Sequence, residues 1–103
     1  MQIIWSERAF ERRMAIEDYI FCSFGYEAYQ TYQEQIEDWK RIVVANPRAG
    51  AIEPILEGAR KEYRSFSIGD LTKCIYYIEN DFIVFVDWWD TRRCPASLTK
   101  GLK

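Results

Sequence analysis

The order of apolar patterns along these 103 residues predicts an α+β fold. The expected architecture is a short N-terminal strand, an antiparallel helical hairpin, and a three-stranded antiparallel meander whose small sheet carries the helices on one face. Three observations carry this reading. Tyr29, Tyr32, Ile36, Trp39 and Val43 alternate steps of three and four, which makes one apolar helical stripe. Phe82-Ile83-Val84-Phe85-Val86 is continuously apolar, as in a central strand covered on both faces. Between it and the preceding apolar run stands Asn80-Asp81, a two-residue break of residue types that tolerate positive φ in a tight hairpin.

Gln2-Ile3-Ile4-Trp5 reads as a brief strand that must pair with a later one. Ser6 stands where an N-cap belongs, and Glu7 in the first turn meets the helix dipole favourably. Ala9, Phe10, Met14, Glu17, Ile20, Phe21 and Phe24 then recur at helical spacing, and Gly25 supplies the stop. Residues 26–45 form the second helix, ended by Asn46-Pro47 because proline disfavours helical geometry in the residue before it. Residues 51–58, with Pro54 and Gly58, read as an ordered connector with one turn of helix. The meander strands are expected at 60–68, 72–79 and 82–89, the first alternating charged and apolar residues as a half-exposed strand does.

The length suits one domain, residues 1–103, with a single core. Hydrophobic residues at 49% exclude disorder, and the apolar runs fall far short of the roughly 20 residues a membrane helix needs. The N-terminal pattern is a helix start rather than a signal peptide, so the cytoplasm is the expected compartment. Cys22, Cys74 and Cys94 form no close pair; Cys22 and Cys74 lie in apolar segments and are expected to be buried thiols. Cys94 follows two arginines that would lower its pKa. Histidine is absent. That removes Ser-His-Asp and Cys-His catalysis and most transition-metal sites, and nothing else in the sequence implies a metal or organic cofactor. The net charge is −2, with residues 1–59 acidic and the meander balanced, which does not announce a nucleic-acid binder.

Four motifs in this order resemble one known family. They are Ile4-Trp5-Ser6 opening the first helix and Asn46-Pro47-Arg48-Ala49-Gly50 closing the second. With them stand Glu62-Tyr63-Arg64-Ser65-Phe66 in the first meander strand, and Tyr76-Tyr77-Ile78 leading through the last strand to Trp88-Trp89-Asp90-Thr91-Arg92-Arg93-Cys94-Pro95. Over nearly its whole length the chain resembles toxins of the RelE/ParE superfamily, the toxin half of bacterial type II toxin–antitoxin (plasmid stabilisation) pairs. The resemblance implies a cognate antitoxin as partner, in a hetero-oligomer, its tail wrapping the sheet or the helical hairpin.

For family members that cut mRNA on the ribosome, the resemblance places Lys73, Arg92 and Arg64 as catalytic residues. Arg60, Lys61, Arg93 and Trp89 are then the RNA- or target-binding residues. The chemistry explains the need for cations. Attack of a ribose 2′-OH on the adjacent phosphate builds negative charge on phosphorus that Arg and Lys can offset, and it needs a base and an acid besides. Trp88 and Trp89 alternate faces, so one fills the core while the other is offered for stacking on a base or a partner. The chain differs from those nucleases in having no Tyr or His after Arg93. The expected function is therefore growth inhibition by a ribosome-linked endoribonuclease; the alternatives are an inhibitor of DNA gyrase resembling the ParE branch, and an inactive member acting only as a binding domain.

Overall fold

A computed structural model describes residues 1–69 and 71–91. The expected α+β architecture is present. β1 (Gln2–Trp5) leads into α1 (Glu7–Phe24), and Gly25 turns the chain into α2 (Tyr26–Ala45). Then follow β2 (Ala51–Ile52), a 3-10 turn (Pro54–Leu56), β3 (Arg64–Ile68), β4 (Thr72–Glu79) and β5 (Phe82–Asp90). The strands form one mixed sheet in the order β1-β5-β4-β3-β2. β1 lies parallel to β5, and the other neighbours are antiparallel. Among the described residues no helix is long and apolar enough to cross a membrane.

Local chemistry sets the element ends. Ser6 caps α1 by accepting the Ala9 N–H at 3.0 Å. The break between β4 and β5 places Asn80 at φ 54°, the left-handed region that asparagine tolerates. The first meander strand is shorter than the expected 60–68. Pairing of Ala51 with Ser65 and Ile52 with Arg64 adds β2 at the sheet edge, and the intervening residues 53–63 must loop back over the sheet. The ladder therefore begins at Arg64.

The main core lies between the helices and one sheet face. It joins Ala9, Ile20, Tyr32, Ile36 and Val43 to Phe66, Ile68, Cys74, Tyr76, Ile83, Phe85 and Trp88. Trp39 of α2 stacks on Phe66 of β3, ring centroids 4.7 Å apart. A relay of hydrogen bonds satisfies the polar atoms inside. Trp88 Nε1 donates to the Tyr32 hydroxyl at 2.6 Å, Tyr32 lies 2.9 Å from Thr72 Oγ1, and Thr72 donates to the Ile68 carbonyl. Burial pushes the Tyr32 phenol above its ordinary pKa, so it stays a neutral donor.

A bulge in β5 decides which tryptophan enters this core. Ile75 pairs with Asp87 and Tyr76 with Phe85, so Val86 is an extra residue on β5 and the alternation of faces shifts by one. Ile83, Phe85 and then Trp88 face the helices; without the bulge that place would fall to Asp87. Ser6 secures the irregularity: its N–H donates to the Phe85 carbonyl and its Oγ to the Val86 carbonyl, both at 2.9 Å. Asp87, fully buried, receives both oxygens' bonds from Arg12 Nη1, with Arg8 3.3 Å away.

Two expectations about α1 change. Of its apolar positions Ala9 and Ile20 are buried, but Phe10, Met14, Phe21 and Phe24 are exposed. Cys22 is exposed while Cys74 is buried. The reason is angular: the sheet-facing row runs through Ala9 and Ile20, and Cys22 sits two residues, about 200°, away from it. Cys94 lies outside the described residues.

Candidate functional site: the outer face of the sheet

Alternation along β4 sends Cys74 and Tyr76 to the helices and Lys73, Ile75 and Tyr77 to the opposite, outer face. The loop of residues 53–63 covers part of that face. Leu56 and Tyr63 from the loop pack with Ile75 and Trp89 into a second, smaller core, bordered by Ile55, Ala59, Tyr77 and Val86. Trp89 is 3% exposed. It fills this second core, so it offers no free ring for base stacking; the loop that buries it is invisible to strand alternation.

Beneath the loop lies the polar centre of the face. Lys73 Nζ sits 2.9 Å from Glu53 Oε2, which also accepts the Ser65 hydroxyl at 2.8 Å. Glu53 is 1% exposed. Burial alone would raise its pKa, but the hydrogen bonds from Lys73 and Ser65 and the charge of Lys73 outweigh this and hold the carboxyl below its ordinary value. Glu53 is the residue that the sequence reading passes over. Its signal is a lone acid inside the apolar run Ala51-Ile52-Glu53-Pro54-Ile55-Leu56.

Among the described residues, the sequence-predicted cations do not converge. Arg64 pairs with Tyr76, which faces the helices, and so leaves β3 on the side opposite to Lys73. Its guanidinium donates to the carbonyls of Gly50 at 2.8 Å and Arg48 at 3.3 Å, and to Glu62 at 2.9 Å. Those bonds fasten the turn after α2. Tyr76 fastens the same turn, accepting the Gly50 N–H at 2.9 Å and donating to the Pro47 carbonyl at 2.8 Å. Lys61 reaches Glu79 at 3.4 Å and lies over the Tyr77 ring, 4.3 Å from its centroid. Arg60 lines an open cleft of about 300 Å³ with Ile52, Leu56, Glu62 and Tyr63. Arg92 and Arg93 lie outside the described residues. Lys73 and Trp89 are thus cross-strand neighbours on one face, with Arg60 and Lys61 at its loop-covered edge and Arg64 on the other side.

No protein-family model matches the chain. No curated protein matches it either. Solved structures do. A chain of the chromosomal ParDE TA system from P. aeruginosa superposes with a TM-score of 0.68 at 15% identity, covering 87% of this chain and 95% of that one. The chain has the RelE/ParE toxin fold. A YoeB/ParE toxin from Agrobacterium tumefaciens gives a TM-score of 0.62 at 18% identity over 87% of this chain and 98% of that one. The YoeB dimer from Staphylococcus aureus gives 0.58 at 17% identity, over 84% and 92%. On this chain's outer face the buried Glu53 carboxylate holds Lys73, and the same face carries the smaller core of Leu56, Tyr63, Ile75 and Trp89.

Proposed function

We propose that this protein is the toxin of a type II toxin–antitoxin pair and that it arrests growth by binding its target rather than by cutting RNA. One observation carries the choice: the Lys73 ammonium is held by the buried Glu53 carboxylate and Arg64 is bonded to backbone carbonyls on the opposite face. Phosphoryl cleavage needs cations free to approach the phosphate and aimed at one point. Among the described residues, the expected catalytic ones are neither free nor aligned. Binding needs no such convergence. The outer face and its loop edge, with Arg60 and Lys61, would serve as a contact surface for a large partner, for which DNA gyrase is the specific expectation. A cognate antitoxin would hold the toxin silent in the cytoplasm until the two separate.

The deciding experiment induces the protein without an antitoxin and maps RNA 5′ ends within minutes, alongside a supercoiling assay with purified gyrase. Growth arrest with intact mRNA and inhibited supercoiling is the expected result. New ends at defined codon positions would replace this reading with the ribosome-linked endoribonuclease. Unimpaired growth at high expression would remove the toxin reading altogether.

A further inference from the structure

The outer face of the sheet is apolar at positions where a face in water carries polar residues. Ile75 and Tyr77 of β4 and Val84, Val86 and Trp89 of β5 all lie on it. The loop covers one end of this surface, where Leu56 and Tyr63 pack with Ile75 and Trp89. The other end stays open. Tyr77 and Val84 are half-buried, and Ile4, beside Val84 on β1, is 42% exposed.

The covering segment is held firmly at its neck and loosely along its body. At the neck, Glu53 N–H donates to the Tyr63 carbonyl at 2.9 Å, and the Glu53 carboxylate takes Lys73 and Ser65. Among the described residues, the backbone hydrogen bonds of the body are local: Leu56 N–H to Glu53, Glu57 N–H to Pro54 and Ala59 N–H to Leu56. Side chains alone bind it to the sheet. Leu56, 1% exposed, is the apolar anchor, and Lys61 lies over the Tyr77 ring and 3.4 Å from Glu79. Both members of that ion pair are exposed, so it holds weakly. An open cleft of about 300 Å³ lined by Ile52, Leu56, Ala59 and Tyr63 leaves the segment unpacked along one side. A segment with local backbone bonds and one apolar anchor opens far more readily than the sheet beneath it.

We propose that residues 54–62 form a lid that lifts as one unit about the Glu53–Tyr63 neck and uncovers Trp89 and Ile75 as the centre of an apolar docking patch for a protein partner. Lifting Leu56 joins Trp89 and Ile75 to Val86, Tyr77, Val84 and Ile4 in one apolar surface across three strands. A tryptophan at the middle of such a surface is the residue type that anchors protein interfaces. Nucleic acid is disfavoured, because Lys73 stays paired with Glu53 when the lid turns at the neck. The docking role rests on the outer face being the contact surface for the target; the motion of the lid does not.

The Glu53–Tyr63 pair makes a clean test available, since residues 54–62 can be replaced by the two-residue turn Asn-Gly that closes an antiparallel pair. In the wild type, the amides of Leu56, Glu57 and Ala59 should exchange together, at least about tenfold less protected than those of β4. The 5-fluorotryptophan resonance of Trp89, assigned with Trp89→Phe, should move to a solvent-exposed position in the lid-free variant. In Leu56→Ala, which keeps the loop and serves if the replacement does not fold, it should move part of the way. Both variants should inhibit gyrase supercoiling below the wild-type concentration, the lid-free one by about fivefold, because the closed lid lowers the binding-competent fraction. Loop amides as protected as β4, or with unrelated rates, overturn the lid. Variants folded by near-UV circular dichroism that inhibit no better than an active wild type overturn the docking role, and dimers of the lid-free variant in sedimentation would then assign the patch to a second copy. A wild type without effect on gyrase removes the gyrase reading and the docking role together, while exchange and fluorine data still decide the lid.

Discussion

Lys73 of β4 and Glu53 of the covering loop meet at 2.9 Å on the outer face of the sheet. The contact ties a loop to a central strand, and it pairs the Lys73 ammonium with a buried anion. Its energetic signature is asymmetric. Removing Lys73 leaves a buried carboxylate with Ser65 as its remaining side-chain partner, so Lys73→Met should cost about 2–3 kcal/mol by urea unfolding.

The pair also predicts an acid limb. Glu53 is held below its ordinary carboxyl pKa of 4.5, so its share of stability is present above that value and is lost as pH falls through the lower folded one. In Lys73→Met the hydrogen bond and charge of Lys73 are lost while burial still opposes ionisation, so the depression shrinks and that variant's acid limb should be shallower. Urea midpoints for both proteins between about pH 3 and 6 would show the two slopes; identical slopes would mean the pair is not formed in solution.

At the turn after α2, space is as restrictive as hydrogen bonding. A methyl group on Gly50 would lie 2.6 Å from the Tyr76 hydroxyl and 2.8 Å from the Ser65 carbonyl. Gly50→Ala should therefore destabilise by about 1–3 kcal/mol through overpacking. Tyr76→Phe, which strips partners from Gly50 N–H and the Pro47 carbonyl, should cost about 1–2 kcal/mol. A neutral Gly50→Ala in thermal unfolding would show that the turn can open without penalty.

Asp87 anchors α1 to the bulged end of β5 through Arg8 and Arg12. It is fully buried, so Asp87→Ala should cost about 3 kcal/mol by removing the anion that Arg12 bonds and Arg8 approaches. A loss below about 1 kcal/mol would place the ion pair among weakly contributing surface contacts.

The two described cysteines should separate cleanly by reactivity. Burial pushes the Cys74 thiol well above its ordinary pKa, whereas Cys22 is exposed on α1. In a Cys94→Ser background, one thiol should titrate with Ellman's reagent in the native protein, and the second only as fast as the chain unfolds. Equal native rates would contradict the burial of Cys74.

Much of the architecture was legible because its causes are local. The Ser6 cap, the stop at Gly25, the stripe from Tyr29 to Val43 and the Asn80-Asp81 turn each depend on residues a few positions apart. So the helical hairpin and the meander could be written down in order, and their sequence motifs pointed to the fold that the solved structures share. The site was less legible. Lys73 and Arg64 look like partners in a list of cations, yet strand parity sends them to opposite faces. Glu53 looks like a connector residue, yet it becomes the buried anion that Lys73 needs.

By itself, then, the sequence determined β1, the two helices and the three meander strands in their order, the turn chemistry and the absence of histidine from any possible mechanism. Tertiary structure alone decided that β1 joins β5, that an extra residue at Val86 turns Trp88 rather than Asp87 into the core, and that the 53–63 loop buries Trp89. It also decided that Phe10, Met14 and Phe21 stay open to solvent. The physical reason is common to all of these. Periodicity reveals which residues share a face, but which surface covers that face depends on contacts between segments far apart in the chain.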